Sequence, residues 1–268
     1  MSTAVRVLTL AKWINGAPWR AGLLHSRDHH LLIWLTRGQG LAVLDGRRRG
    51  LGVHNALAIP AGSPFAFDPG KQGFGLVCIL PMAGPAMMPD DPQHLRIRDS
   101  LLQIELTALF EAMQREQNAG RPFLDETLTA NARLMSVWLR RAMIEYPEPS
   151  RRIPAAERLM QAFVALVERD YRTGRPMADY AALLGVTPTH LTRTARKLAG
   201  VTASDLLTQR VVHAARSLLE RGDLRVAGVA ACLGFNSAAY FSRFIQQHCG
   251  VSPSFLRRRR HRTDTARG

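Results

Sequence analysis

Ala230-Ala231-Cys232-Leu233-Gly234-Phe235-Asn236-Ser237-Ala238-Ala239-Tyr240-Phe241-Ser242-Arg243 decides the reading of this chain, because an earlier segment repeats it. Ala181-Ala182-Leu183-Leu184-Gly185-Val186 stands 49 residues before Ala230–Phe235, while Leu191 and Arg193 recur at a register of 50 as Phe241 and Arg243. Gly200-Val201-Thr202 returns at the same later register as Gly250-Val251-Ser252. The change of register puts one extra residue in the turn of the second copy. Repeated helical units can signal a solenoid, but two copies separated by a long helix do not make one.

Each copy has the physics of two helices joined by a tight turn. The alanine one turn before the glycine lets the helices approach closely, and Gly185 and Gly234 supply the positive φ that ends the first helix. Thr187 can cap the second helix of the first copy, with Pro188 at its first position; Asn236 or Ser237 can cap its counterpart. The outer face of that helix is polar and basic. In the first copy it carries Thr189, His190, Thr192, Arg193, Arg196 and Lys197; in the second, Ala238, Ala239, Tyr240, Ser242, Arg243, Gln246 and Gln247. Leu191 and Leu198, with Phe241 and Phe244 or Ile245, face inward.

On these motifs residues 155–258 resemble the DNA-binding domain of the AraC/XylS family of bacterial transcription regulators. The resemblance rests on Leu183-Leu184-Gly185-Val186-Thr187-Pro188, on Leu191-Thr192-Arg193, and above all on Leu233–Arg243. Gly250-Val251-Ser252-Pro253-Ser254-Phe255 resembles the family's closing Gly-x-Ser-Pro element. It implies two helix-turn-helix units in one monomer, joined by a long helix near Ser204–Arg221. Their recognition helices would enter successive major grooves about 34 Å apart on one face of the DNA. Arg193 and Arg243 match positions that often contact DNA in the family, and arginine bidentate to guanine is the usual specific contact. Thr189 and Thr192 are carried over as base or phosphate contacts. The full DNA-binding set is Thr187, Thr189, His190, Thr192, Arg193, Arg196, Lys197, Asn236, Ser237, Ala239, Tyr240 and Arg243. Ala238 and Ala239 leave the second recognition helix short of hydrogen-bonding groups early on, so its base reading rests on Asn236, Arg243 and apolar contact with thymine methyls. In the linker helix Val211 stands where the family commonly has arginine, with Arg210 one residue before.

Charge agrees with a polyanion partner. The 268 residues include 36 Lys or Arg against 21 Asp or Glu, a formal net charge of +15. Residues 1–152 carry 18 basic and 13 acidic side chains, whereas residues 153–268 carry 18 and 8, so the excess lies toward the C-terminus. It ends in Arg257-Arg258-Arg259-Arg260-His261-Arg262, read as a solvated tail that can add non-specific phosphate contact.

Ahead of the repeat the chain changes character. Leu31–Leu35, Leu41–Leu44, Ala56–Ile59 and Gly75–Leu80 are short apolar runs punctuated by turns, with Asp45-Gly46 a hairpin signal. Helical periodicity follows, in Leu102, Leu106, Leu109 and Met113, then in Leu128, Ala132, Met135 and Leu139. Tyr146-Pro147-Glu148-Pro149-Ser150-Arg151-Arg152 has the composition of a linker. The expected fold is therefore α+β in two domains. Residues 1–147 form a cupin-like effector-sensing and dimerisation domain, with a β-barrel over about 1–82 and a helical hairpin over about 99–145. A linker at 148–154 leads to an all-α DNA-binding domain at 155–260 and a basic tail at 261–268. The cupin-like half follows from the family resemblance.

Other chemistry is weakly represented. His25, His29 and His30 read as surface or edge-strand histidines rather than metal ligands, and Phe65 stands where a cupin ligand histidine often falls, so no metal or cofactor is expected. Trp13, Trp19 and Trp34 are candidates to line an apolar effector pocket, with simple core packing as the plainer reading. Cys78, Cys232 and Cys249 form no close-spaced motif and read as reduced, buried packing residues. There is no phosphate loop, nucleophile elbow or paired carboxylate, so an enzyme is not expected. No run of roughly 18 apolar residues suggests a membrane span, and Met1–Arg20 lacks the apolar stretch of a secretory signal. These readings give a cytoplasmic, homodimeric regulator that binds double-stranded promoter or operator DNA, under a small-molecule effector and with RNA polymerase as a further partner. The competing reading is a nucleoid-type protein that coats DNA by charge alone.

Overall fold

The computed structural model describes residues 4–84, 87–147 and 153–264, with side chains as far as 258. The chain divides into two compact units, Met1–Gly22 with Ser26–Pro154, and Leu23–His25 with Ala155–Gly268. The linker expected at 148–154 falls largely outside the described residues.

The first unit runs β1 (Arg6–Thr9), two short helices α1 (Leu10–Ile14) and α2 (Trp19–Gly22), then β2 (His29–Arg37), β3 (Gly40–Leu44), β4 (Arg47–Leu51), β5 (Asn55–Ile59), β6 (Phe65–Asp68), β7 (Phe74–Pro81) and β8 (Gln93–Arg96). A helical hairpin follows, α3 (Ser100–Ala119) and α4 (Leu124–Glu145). The strands form two open antiparallel sheets, in the orders β1-β7-β2-β5-β8 and β4-β3-β6, not the closed barrel that the short strands suggested. The larger sheet is the middle of three layers. In β2, Leu31, Ile33 and Leu35 share a core with Ala42, Leu44, Phe65 and Phe67 of the smaller sheet. Leu32 and Trp34 point the other way, into a core with Leu106, Phe110 and Trp138 of the hairpin. A strand covered on both faces needs apolar residues at every position, which is why β2, β5 and β7 read as continuous apolar runs. The Asp45-Gly46 turn has positive φ at both residues (50° and 70°), as a two-residue hairpin requires. Strands β1, β4 and β8 escaped the sequence reading because they are short and, at Arg47-Arg48-Arg49 and Gln93-His94, polar.

Several expectations change in this unit. Trp34 is fully buried on the hairpin side, its indole N–H donating to Thr107 Oγ1 at 3.1 Å, while Trp13 packs on the opposite face of the sheet near Phe67. The tryptophans therefore do not line one pocket. His29 and His30 lie on β2, an interior strand rather than an edge. His25, which belongs to the second unit, is completely buried rather than superficial, and its ring stacks on His213 of that same unit with 4.3 Å between centroids. Its neighbour Leu24 belongs to the same core as Phe163, Leu191 and Leu206. Among the described residues no group of three or more His, Cys, Asp and Glu is placed to hold a metal.

The second unit is helical: α5 (Ala155–Asp170), α6 (Met177–Leu183), α7 (Pro188–Ala199), α8 (Ala203–Arg221), α9 (Val226–Cys232), α10 (Ala238–Cys249) and α11 (Pro253–Asp264). Helix α11 takes in part of the stretch read as a tail. Two cores flank the long helix α8, one with α5, α6 and α7, the other with α9, α10 and Leu256 of α11. Arg210 of α8 is buried, gives Nε and Nη2 to the two carboxylate oxygens of Glu168 on α5 at 2.6 and 2.8 Å, and lies 3.7 Å from the centre of the Tyr171 ring. That guanidinium is spent on architecture. Cys78 is buried, and burial pushes its thiol far above the ordinary range; Cys232 is exposed, contrary to the packing role expected of it, because Val229, Ala230 and Leu233 turn the other side of α9 to the core.

Two stability tests follow from these contacts. His94, whose Nε2 hydrogen bonds Asn55 Oδ1 at 2.7 Å, has its pKa lowered to about 4 by burial, then by the charges of Arg96 and Arg49. Between pH about 6.5, the unperturbed value, and pH 4 the unfolded chain takes up a proton that the folded chain refuses, so stability falls as pH drops through that window. Thermal melts of His94→Gln should therefore converge on those of the unaltered chain as pH falls from 6.5 to 4; a constant gap would overturn the assignment. Arg210→Ala, which strips a buried bidentate pair, should cost the second unit about 3 kcal/mol in chemical denaturation, and Arg210→Lys should recover only part of it.

Candidate nucleic-acid interface

The two copies of the sequence repeat fold alike down to single hydrogen bonds. In the first, Leu184 N donates to Ala181 O at 3.1 Å, Gly185 N to Ala182 O at 3.0 Å and Val186 N to Ala181 O at 3.0 Å. In the second, Leu233 N donates to Ala230 O at 3.1 Å, Gly234 N to Ala231 O at 3.1 Å and Phe235 N to Ala230 O at 3.0 Å. These bonds satisfy the carbonyls that a helix leaves open at its end. Gly185 and Gly234 take φ of 67° and 75°, and Ala181 and Ala230 are buried beneath the turns. The extra residue of the second copy lies between Gly234 and the helix cap: Thr187 accepts from His190 N, whereas in the second copy Ser237, not Asn236, accepts from Tyr240 N. Both second helices are 12 residues long and end on a left-handed glycine, Gly200 or Gly250. Thr202 and Ser252 then cap the helices that follow.

Each second helix turns one face inward and the other to solvent. Leu191 and Ala195 of α7 and Phe241 and Ile245 of α10 are fully buried, while Leu198 and Phe244 are half-buried. Thr187, Thr189, His190, Arg193, Arg196 and Lys197 are exposed and Thr192 is half-buried; Asn236, Ser237, Ala239, Tyr240 and Arg243 are exposed. Thr189, Thr192, Arg193 and Arg196 share one groove of about 510 Å³ with Met177, Pro188 and Ser204. His190 and Lys197 lie outside that groove. Asn236, Ser237 and Tyr240 line a second cleft, of about 500 Å³, whose other walls include Arg175, Tyr180 and Thr208. Arg243 and Ala239 do not border it.

Met177, Arg175 and Thr208 were absent from the sequence reading. The signal for Arg175 was there, in Arg169-Asp170-Tyr171-Arg172-Thr173-Gly174-Arg175, the end of α5 and the loop after it, with three arginines to one acid. Asp170 accepts from Arg169 Nε at 2.7 Å and Nη2 at 2.9 Å, and from Arg175 Nη1 at 2.7 Å. The hydrogen bonds from Arg169, outweighing desolvation and helped by the charges of Arg169 and Arg175, hold the Asp170 carboxyl below the usual carboxylate range. This loop presses on the second motif: a Cβ at Gly174 would stand 2.6 Å from Gly234 O, and one at Gly234 would stand 2.4 Å from Arg172 O.

Residues 180–259 match the helix-turn-helix domain family. The chain is similar to the HTH-type transcriptional regulator GlxA of Rhizobium meliloti (strain 1021), 33% identical over 134 residues that cover 48% of this chain and 41% of that protein. It is also similar to the bifunctional transcriptional activator/DNA repair enzyme AdaA of Bacillus subtilis (strain 168), 24% identical over 102 residues, 38% of this chain and 48% of that one. The chain thus spans less than half the length of these two curated relatives. Among solved structures, wild-type ToxT from Vibrio cholerae strain SCE256 with unsaturated fatty acid bound aligns over 95% of both chains at 14% identity and a TM-score of 0.41. The C-terminal domain of AraT, a response regulator from Geobacillus stearothermophilus, covers 41% of this chain and 89% of its own at 25% identity, with a TM-score of 0.36.

The two turn glycines separate conformation from contact. An added Cβ at Gly185 meets nothing within 4 Å, so Gly185→Ala carries only the left-handed backbone penalty, about 1–2 kcal/mol. Gly234→Ala carries the same penalty and in addition drives a methyl into Arg172 O. Denaturant unfolding of the second unit should show Gly234→Ala clearly the more damaging of the pair; equal losses would mean that the loop at 172–174 gives way freely.

Proposed function

We propose that this chain, whose C-terminal unit carries a helix-turn-helix domain of the AraC/XylS type, is a sequence-specific DNA-binding transcription regulator that reads two adjacent major grooves with one polypeptide. The observation that carries this is the paired motif: two turns with the same hydrogen bonds, each presenting a capped helix with a solvent-facing polar face. In the assigned docking Arg193 and Arg243 take guanine edges, Thr189 and Thr192 take bases or phosphates, and Thr187 and Ser237 are occupied as caps beside the DNA. His190, Arg196, Lys197, Asn236, Ala239 and Tyr240 complete the contact surface. Residues 155–260 are the DNA-binding domain, and promoter or operator duplex in the cytoplasm is the partner, with RNA polymerase recruited alongside.

The first unit, in this proposal, is a cupin-like sensor of a small effector and the dimerisation domain. What supports dimerisation is the hairpin. Leu134, Val137 and Ile144 of α4 form an exposed apolar row, 55%, 40% and 81% accessible, and Leu101 and Ile104 of α3 are 69% and 64% accessible. Spacing of 3 and 7 residues puts the α4 positions on one helical face, and apolar rows of this kind mark interaction surfaces.

Charge-driven coating of DNA is the alternative, and salt dependence does not separate the two, since both weaken as salt rises. Selection of binding sites from random duplexes by the full chain does. A regulator should enrich a site with two short blocks about one helical turn apart, bound at least ~10³ more tightly than random sequence. Arg193→Ala and Arg243→Ala should each relax preference in one block, by about 1–3 kcal/mol at the affected base pair, with thermal stability unchanged. Absence of any enriched block, with the effector supplied as cell extract or not, would favour the coating protein.

A further inference from the structure

The contact set drawn from the two recognition helices leaves the space between them unassigned. A monomer that reads two successive major grooves on one face of a duplex must also meet what separates those grooves, the sugar–phosphate backbone on either side of the minor groove. The structure has a surface at that place. Met177 borders the groove that holds Thr189, Thr192 and Arg193, and Arg175, two residues before it, borders the cleft that holds Asn236, Ser237 and Tyr240. The segment 174–177 therefore runs from the cleft beside the second recognition helix to the groove beside the first.

The cleft combines polar groups with an apolar lining that includes Leu207, Val211, Phe235 and Phe244. It is open and about 500 Å³ in volume. Thr208 of α8 lines it together with Asn236 and Tyr240 of the second motif. Arg175 is its cation, with a side chain 40% accessible. Asp170 takes one donor of the Arg175 guanidinium at 2.7 Å, an anchor that fixes its direction while other donors of its five-donor fork stay available to a phosphate. Arg169, at the end of α5, and Arg172, in the loop after it, bring the charge of residues 169–175 to three arginines against one aspartate. The loop is held by backbone: Gly174 and Gly234 approach so closely that neither tolerates a Cβ, so Arg175 keeps a fixed place relative to the second recognition helix. That helix begins with Ala238 and Ala239, which offer no side-chain hydrogen bond to a phosphate, so a cation supplied from the neighbouring loop fills a gap in its anchoring.

We infer that the cleft between the two helix-turn-helix motifs seats the DNA sugar–phosphate backbone where the duplex passes from one major groove to the next, with Arg175 as a phosphate contact. The inference rests on the DNA-binding reading of this unit, and it predicts a signature different from that of the base-reading arginines. Phosphate contacts position without specifying sequence, and each one lost lowers the slope of log affinity against log salt concentration by about 0.9.

The test is a salt titration of duplex binding by the full chain, on a selected site and on random sequence. Arg175→Gln should weaken both duplexes by the same factor, reduce the slope by about one, and leave base preference untouched. Arg175→Lys should keep the slope. Thr208→Lys, in the same cleft, should steepen it by a similar amount, which guards against a fold defect in the glutamine variant. Slopes unchanged in both Arg175→Gln and Thr208→Lys, with melting intact, would assign the cleft to some other occupant, such as a small ligand, and overturn the inference. Loss of base preference without loss of slope would also overturn it, by making Arg175 a base reader. A chain that binds duplex without any preferred site still reports the slope, so failure of the regulator reading shows as missing preference and failure of the cleft assignment as an unchanged slope.

Discussion

The backbone of residues 172–174 lies directly on the turn at Gly234, and the arrangement of the C-terminal unit depends on that approach. Two motifs on one chain are useful as a pair only when their separation is fixed. Helix α8, 19 residues and so about 28 Å long, sets the span. A helix with a separate core at each end would still leave the two halves free to roll about it. Two contacts oppose that rolling. One is the seat of the 172–174 loop, which extends α5, on Gly234 of the second motif. The other is Arg210, which ties the middle of α8 to Glu168 and Tyr171 near the end of the same α5. Both place the junction at the C-terminal end of α5, so this short stretch, Glu168 to Gly174, connects the first motif, the linker helix and the second motif.

The same stretch connects architecture to charge. The three arginines of residues 169–175 outnumber Asp170, so the loop that locks the motifs together is also a cationic element beside the second motif. In the first unit the logic is different. The larger sheet, apolar on both faces, is pinned between a small sheet and the hairpin. The hairpin in turn keeps a second apolar row facing outward. Burial drives both interfaces, and the polar contacts that enter them are satisfied in pairs: Gln117 of α3 exchanges hydrogen bonds with both backbone groups of Val7 on β1, and the Trp34 indole N–H donates to Thr107 of α3.

Local rules made much of this legible. The Ala-x-x-x-Gly turns, the Thr187 cap and Asp45-Gly46 are readable because each is settled within a few residues by backbone geometry. The spacing of Leu102, Leu106 and Met113, or of Leu128, Ala132, Met135 and Leu139, announces a helix face for the same reason. Strands β4 and β8 were not readable. An edge strand with arginine or histidine owes its pairing to the neighbour that recruits it, not to its own pattern. His25 was misread as superficial because nothing near it in the chain reveals His213, 188 positions later, as its stacking partner. Cys232 was misread in the other direction, since its side of α9 is decided by Val229 and Leu233 filling the core.

The sequence by itself determined the paired helix-turn-helix units, their caps and turns, the excess of positive charge in the C-terminal part and the division into a strand-rich half and a helical half. Each of these is a matter of periodicity, glycine backbone freedom or simple counting, all of which act over a few residues or over none. Only the tertiary structure decided that the strands form two open sheets, that Arg210 is consumed by Glu168 and Tyr171, and that Arg175 borders one cleft with Asn236, Ser237 and Tyr240. Those outcomes rest on which distant backbone segments approach one another, as Gly174 and Gly234 do, and such an approach leaves no periodic mark in the chain.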